Sequence, residues 1–226
     1  MKRGNLPIPA TLTQPGPISA PPYRIETQRC VIRAWEPRDA RLLDEAIFSS
    51  LEHLQRWLPW AVSEPRSLAQ RIEYLRGARA RFDRDEEYTF GILALDESRV
   101  LGGTGLHKRG GAEALEIGYW IRSEVLRQGY CSEVVTALTR VALTTCHAQR
   151  VEIHCDPANC ASQAIPKKLG YQLDAVLRKR ARTPTGMPRD TMVWSLFAEE
   201  LAQTASSAFR YSSFDASGEP IIDALT

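Results

Sequence analysis

The stretch Glu116-Ile117-Gly118-Tyr119-Trp120-Ile121, followed by Leu126-Arg127-Gln128-Gly129-Tyr130-Cys131-Ser132, runs from an apolar alternation through a glycine turn straight into a helical pattern. Period-two alternation puts Glu116, Gly118 and Trp120 on one sheet face and Leu115, Ile117, Tyr119 and Ile121 on the other. Ser132 is read as the cap of a helix whose apolar face is Val134, Val135, Leu138, Val141 and Ala142. Such a junction suits an anion, because the first N–H groups of a helix lack intrahelical partners and its dipole favours negative charge. No G-x4-G-K-[ST] sequence is present, and Gly102-Gly103-Thr104-Gly105 lacks the third glycine of a dinucleotide fingerprint.

Working outward, Cys30 to Trp35 reads as a strand, followed by a helix with Leu42, Leu43, Ala46 and Ile47 on one face. A short helical piece carries Leu51, Leu54 and Trp57. A longer one, from about Ser63 to Arg84, is decorated by Arg71, Arg76, Arg79, Arg81 and Arg84 and reads as a solvated face. Phe90–Leu95, Val100–His107 and Leu115–Ile121 form an antiparallel meander. The strand Arg150–Cys155, a short helix from about Ala161 to Leu169 and two closing strands complete the pattern. The class is α/β (α+β), a mixed sheet flanked by helices.

The 226 residues carry 29 Lys plus Arg against 27 Asp plus Glu, a formal charge of +2, with 43% hydrophobic and 25% charged residues. That is a folded-domain composition without the basic excess of a nucleic-acid coat, and nothing approaches the roughly 20 apolar residues of a membrane span. No membrane and no direct nucleic-acid partner are therefore expected. The opening Met1-Lys2-Arg3 leads into Pro and Thr rather than an apolar run, so a cytoplasmic location is expected. Residues 1–22 read as a disordered proline-rich tail, 23–204 as the working domain and 205–226 as a loose C-terminal extension. The five cysteines are an odd number and suit reduced thiols. Cys146, His147, His154, Cys155 and Cys160 lack zinc spacing, so no metal is expected.

The next strand ends in Asp156-Pro157-Ala158-Asn159, and the following helix continues Cys160-Ala161-Ser162-Gln163-Ala164-Ile165-Pro166-Lys167-Lys168-Leu169-Gly170-Tyr171. With the loop at 126–132, this resembles the acetyl-CoA-binding motifs of the GNAT N-acetyltransferases, [QR]-x-x-G-x-[GA] and N-x-x-[SA]. His53 to Trp60, Gly105-Leu106-His107 and Ile117 to Trp120 look like the RimJ/RimL-type branch. The resemblance covers about residues 24 to 197. It implies a mixed, mostly antiparallel sheet of about seven strands, splayed between the strand carrying Glu116 and the strand carrying His154. It also implies an acetyl-CoA-dependent acetyltransferase, and it leaves room for a homodimer.

Carried onto this chain, the resemblance gives Arg127, Gln128, Gly129, Tyr130, Cys131 and Ser132 to the pyrophosphate. The main chain of Trp120, Ile121 and Arg122 would pair with pantetheine, Asn159 would bond the cofactor arm and Ser162 would sit near its sulfur. Lys167 or Lys168 would meet the adenosine phosphates. Asn159 reads equally as a cap, Ser162 as a partner for a neighbouring carbonyl, and the lysines as suited to the helix dipole. Three residues depart from the family pattern: Leu126 replaces a polar loop residue, Cys131 replaces a small one, and Pro166 stands where many members carry the tyrosine that protonates the departing thiolate.

The reaction the resemblance implies is direct attack of an amine on the thioester. Glu116 is the preferred base, acting directly or through water, with His107 second; a one-residue register slip decides whether the two share a face. Trp57, Trp60 and Trp120 are the candidate acceptor surface. The leading acceptor is a protein N-terminal α-amine. The alternatives are a small amine such as an antibiotic, polyamine or amino-nucleotide, and a non-catalytic acyl-CoA-binding module.

Overall fold

The structure, a computed structural model, describes residues 18–222. Most of the expected N-terminal tail lies outside the described residues. The chain builds β1 (Arg24–Glu26), β2 (Cys30–Ala34), α1 (Ala40–Phe48), α2 (Leu51–Trp57), α3 (Leu68–Asp83), β3 (Tyr88–Ala94), β4 (Val100–His107) and β5 (Ala114–Ile121). It continues with α4 (Tyr130–Thr144), β6 (Arg150–Cys155), α5 (Cys160–Leu169), β7 (Gln172–Arg182), β8 (Pro188–Phe197) and β9 (Ser212–Phe214). No helix among the described residues is long and apolar enough to cross a membrane.

The strands form one nine-stranded sheet in the order β7-β8-β6-β5-β4-β3-β2-β1-β9. That corrects the expected seven, because β1 and β9 are three-residue strands too short to show a period. The β5–β6 pair is parallel and holds only at Ala114↔Arg150, Leu115↔Val151 and Glu116↔Glu152. Beyond Glu116 the two strands diverge, which is the expected splay. From Ile117 onward, the edge of β5 facing β6 meets no strand among the described residues.

Two cores clamp the sheet. On one face Val134, Val135, Leu138, Val141 and Ala142 of α4 pack with Leu115, Ile117, Ile121, Val151 and Ile153. On the other, Leu43, Ala46 and Ile47 of α1, Leu54 of α2 and Leu75 of α3 gather around Trp35, with Trp120 at the margin. Burying a side chain such as Leu115 contributes about 1.5–3 kcal/mol.

Three expectations change. Residues 18–22 are not a free tail: Ile18 packs against the main core, Pro21 and Pro22 are buried, and Ser19 donates its N–H to the Cys146 carbonyl at 2.9 Å. The segment after 204 is not loose, since β9 pairs with β1 and the Arg140 guanidinium bonds the carbonyls of Ser207 and Phe209 at 2.6 and 2.9 Å. Arg71 of α3 is buried rather than solvated, held by Glu64 at 2.6 Å and Asp44 at 3.1 Å. Ending the chain at Thr204 is accordingly expected to lower Tm by about 5–10 °C, a shift corresponding to roughly 2–3 kcal/mol in a chain of this size. Calorimetry checks this; a Tm within about 2 °C of the full chain would show the segment to be dispensable.

Candidate active site

The register of β4 against β5 places His107 opposite Glu116 and Gly105 opposite Gly118. His107 and Glu116 therefore share a face, and Glu152 of β6 lies beside Glu116 in the same row. Both His107 and Glu116 side chains are largely buried, at 14% exposure. Glu116 is only loosely held: His154 Nδ1 stands 3.5 Å from one carboxylate oxygen and Arg109 Nη1 3.9 Å from the other. His154, which the sequence reading gave no catalytic role, is thus brought beside the candidate base, with its Nε2 2.7 Å from Glu152.

The glycines of β4 make room for this row. A Cβ on Gly105 would lie 2.8 Å from the His107 ring, and one on Gly103 would lie 2.5 Å from the Trp120 indole nitrogen. Only a bare backbone leaves room for both rings, which gives the glycines of this strand a packing reason. His107 Nδ1 is 3.1 Å from the Glu87 carboxylate. With Nδ1–H donated there, Nε2 keeps a lone pair. Burial, helped by Arg109, holds the imidazole below the usual 6.5, against the opposing pull of Glu116 and Glu87, so it is neutral at pH 7.

A depressed histidine pKa has a definite sign in stability. As pH falls below about 6.5 the unfolded chain takes the proton first, so stability declines through the window down to the lower folded value. His107→Gln is expected to flatten that decline, as read by urea denaturation at several pH values; an unchanged slope would show that this imidazole titrates freely in the fold.

Glu116 and His107 line a cavity of about 410 Å³ together with Trp35, Trp60, Trp120 and Tyr74. Trp60 and Trp120 meet edge to face at 6.1 Å. Trp57, expected with them, does not line this cavity: it ends α2, with the Arg56 guanidinium over its ring and its carbonyl 3.4 Å from Arg189. Trp35 takes its place, because it follows directly on β2 and turns into the same face. The walls carry both signs of charge, with Arg66, Arg71, Arg81 and Arg109 against Glu64, Glu87 and Glu116.

On the loop side, Gly129, at φ 88°, caps α4, its carbonyl accepting from Glu133 N–H at 3.1 Å. This corrects the Ser132 cap, since Ser132 already lies inside the first turn. Arg127 is also in the left-handed region, at φ 61°. Together they fold the loop so that the N-terminal amides of Tyr130, Cys131 and Ser132 are left over from helix bonding. Arg29, which the sequence reading did not single out, braces this loop. It donates to the Gln128 carbonyl at 2.9 Å, pairs with Glu133 at 2.6 Å and stacks on Tyr130 at 4.6 Å. Its charge is met by Glu133, so Arg29 fixes the shape of the loop rather than adding an unpaired cation to it. Arg122, whose main chain was expected to meet pantetheine, turns its buried side chain to Glu45 and Glu124 at 3.0 and 3.1 Å.

Across the splay, Asn159 Oδ1 caps α5 by accepting from Ser162 N–H at 3.1 Å, so this oxygen is already engaged. Ser162 lies within 3.1 Å of the Tyr119 hydroxyl. Lys167 stacks over Trp194 at 5.6 Å, whereas Lys168 is exposed in the last turn. Glu116 and His107 thus occupy the α1–α3 face of β5, and Tyr119 and Ser162 the α4–α5 face, with the open edge of β5 between them. Among the described residues no three His, Cys, Asp or Glu side chains are grouped as a metal site.

The comparisons with known proteins agree with this arrangement. The Acetyltransferase (GNAT) domain profile matches residues 29–172. The chain is 27% identical over 173 residues to YoaA of Bacillus subtilis, an uncharacterised N-acetyltransferase, covering 76% of this chain and 95% of that one. The fold superposes on Mycobacterium smegmatis RimJ in complex with CoA-disulfide with a TM-score of 0.70 at 23% identity, over 85% of this chain and 92% of that one. Ribosomal-protein-S5-alanine acetyltransferase from Vibrio fischeri gives 0.68 at 17% identity, over 79% and 98%. The nine-stranded splayed sheet, the glycine-capped loop and the family match over most of the chain lead to one assignment: this protein belongs to the GNAT acetyltransferases, enzymes that use acetyl-CoA as co-substrate.

Proposed function

We propose that this acetyltransferase acts on the α-amine of a protein N-terminus. The observation that carries the reading is the His107–Glu116 pair, registered opposite one another on a face that opens into the indole-lined cavity beside the unpaired edge of β5. The Tyr130, Cys131 and Ser132 amides at the start of α4 suit a pyrophosphate, and the β5 edge suits an extended pantetheine arm. Bound acetyl-CoA supplies a thioester carbon open to an amine.

The chain's own residues then do three things. Trp60 and Trp120 bury the flank of the acceptor and exclude water. Glu116 takes the proton that the attacking amine loses, with the neutral His107 imidazole as second acceptor; a placed base is worth on the order of 10² to 10⁴ in rate. Ser162 donates a hydrogen bond to the departing sulfur, because Pro166 has no hydroxyl to offer. An α-amine with a pKa near 8 is roughly a tenth neutral at pH 7, whereas a lysine amine near 10.4 is neutral in well under one molecule in a thousand. One carboxylate and one imidazole match the former. The mixed charge of the walls also favours a peptide over a polyamine, which would need a deep acidic pocket. Product mapping by mass spectrometry tests the acceptor: a peptide with a free α-amine and an internal lysine is expected to be acetylated at its first residue. Acetylation of the lysine alone, or of small amines alone, would overturn this reading.

A further inference from the structure

Pro166 lies inside α5 and has no N–H, so the Ser162 carbonyl one turn earlier loses its normal helix partner. That carbonyl is not left bare. The Tyr119 hydroxyl reaches across the splay from β5 and lies 3.1 Å from the Ser162 carbonyl oxygen and 3.1 Å from the Ser162 hydroxyl. We propose that Tyr119 is the positioning residue for the Ser162 hydroxyl, delivering from β5 the phenol that α5 cannot carry at Pro166. The inference rests on the reading of Ser162 as hydrogen-bond donor to the leaving sulfur.

Two hydrogen arrangements fit these distances. In one, the phenol donates to the Ser162 carbonyl and accepts from the Ser162 hydroxyl. In the other, the phenol donates to the Ser162 oxygen, and the serine proton turns away from Tyr119, toward the cofactor sulfur or toward the neighbouring Cys155 thiol, which also lies within hydrogen-bonding reach of the Ser162 side chain. The two differ only by rotation about C–O bonds, so no heavy atom needs to move. As the thioester C–S bond breaks and its electron pair passes to sulfur, the growing negative charge favours the second arrangement. Neither oxygen gives up its proton; the proton lost by the amine goes to Glu116 or His107. Burial pushes the Tyr119 pKa well up, so the phenol remains a donor throughout the working range. A serine that already receives a hydrogen bond is also a stronger donor to the sulfur.

The test is a double-mutant cycle of Tyr119→Phe and Pro166→Ala, read by kcat, by the KM for acetyl-CoA, by Tm and by the pH dependence of free CoA binding. Tyr119→Phe is expected to lower kcat about tenfold with the KM for acetyl-CoA within about threefold, and to raise the pH at which bound CoA ionises by about 1. Pro166→Ala on that background restores an N–H to the Ser162 carbonyl, so it is expected to recover the Tm lost by Tyr119→Phe while leaving kcat low. Joint recovery of Tm and kcat would make the phenol a mere partner for an orphaned carbonyl and overturn the proposal. A Tyr119→Phe enzyme as fast as wild type would overturn it as well, and so would Ser162→Ala with unchanged kcat. If the wild type acetylates no α-amine, the proposed acceptor falls, but the CoA ionisation readout still decides the role of Tyr119.

Discussion

Glu116→Gln is expected to lower kcat by about 10² to 10³ with little change in acetyl-CoA affinity. The substitution keeps the shape of the side chain on β5 and removes the only carboxylate that sits opposite His107 in the register. Glu116 lies on the cavity face of the strand, away from the α4 loop, so cofactor binding has no reason to change. The deficit should narrow as pH rises past the amine pKa of about 8, because the acceptor then arrives neutral and the site no longer has to remove its ammonium proton before attack. Steady-state kinetics between pH 6.5 and about 9.5 check this. A loss that is constant with pH would move Glu116 from proton acceptor to structural partner of His154 and Arg109. His107→Gln in the same series apportions the remainder: a small effect leaves Glu116 as the principal base, a larger one exchanges the two roles.

Gly129→Val carries the second large effect, a fall in acetyl-CoA affinity of about tenfold or more. The residue caps α4 with φ at 88°, a conformation a β-branched residue adopts only with strain. A Cβ there would also lie 3.2 Å from the Arg29 guanidinium. Either the loop opens to relieve the strain or the side chain stands over the amides of Tyr130 and Cys131; both remove the anion cradle. Titration calorimetry with acetyl-CoA gives the affinity, and a Tm close to wild type certifies the fold. Unchanged affinity in a folded variant would take this loop out of the cofactor site.

The parts of the molecule that were legible in the sequence are those in which a local pattern carries the information. The alternation of residues 115–121, the glycine turn at 129 and the apolar face of α4 are local, and they sit where the sequence puts them. The elements that escaped are either too short or too distant in sequence. β1 and β9 have three residues each, too few to show alternation; β1 becomes a strand because it pairs with β2, and β9 because it pairs with β1. Arg71 looked like one of a row of surface arginines; its burial depends on Asp44, which the packing of α3 on α1 brings near, and on Glu64, which the chain entering α3 folds back against it.

The site divides in the same way. That Glu116 and His107 face one another follows from a turn whose register the sequence left open by one residue. Alternation puts Tyr119 on the same face as Ile117 and Ile121, and its body is packed against the core on that face. Its hydroxyl, however, meets Ser162 across a gap of 43 positions. The signal that could have found it was Pro166: a proline inside a helix orphans a specific carbonyl, and a buried carbonyl calls for a donor from elsewhere.

The most direct test of the central claim is thiol release from acetyl-CoA on one peptide in two forms, its α-amine free or blocked, with every lysine replaced. The account predicts one equivalent of CoA thiol per peptide with the free α-amine, none above background with the blocked form, and the acetyl group on the first residue. Equal release from both forms, or stoichiometric binding of CoA with no release from either, would contradict it.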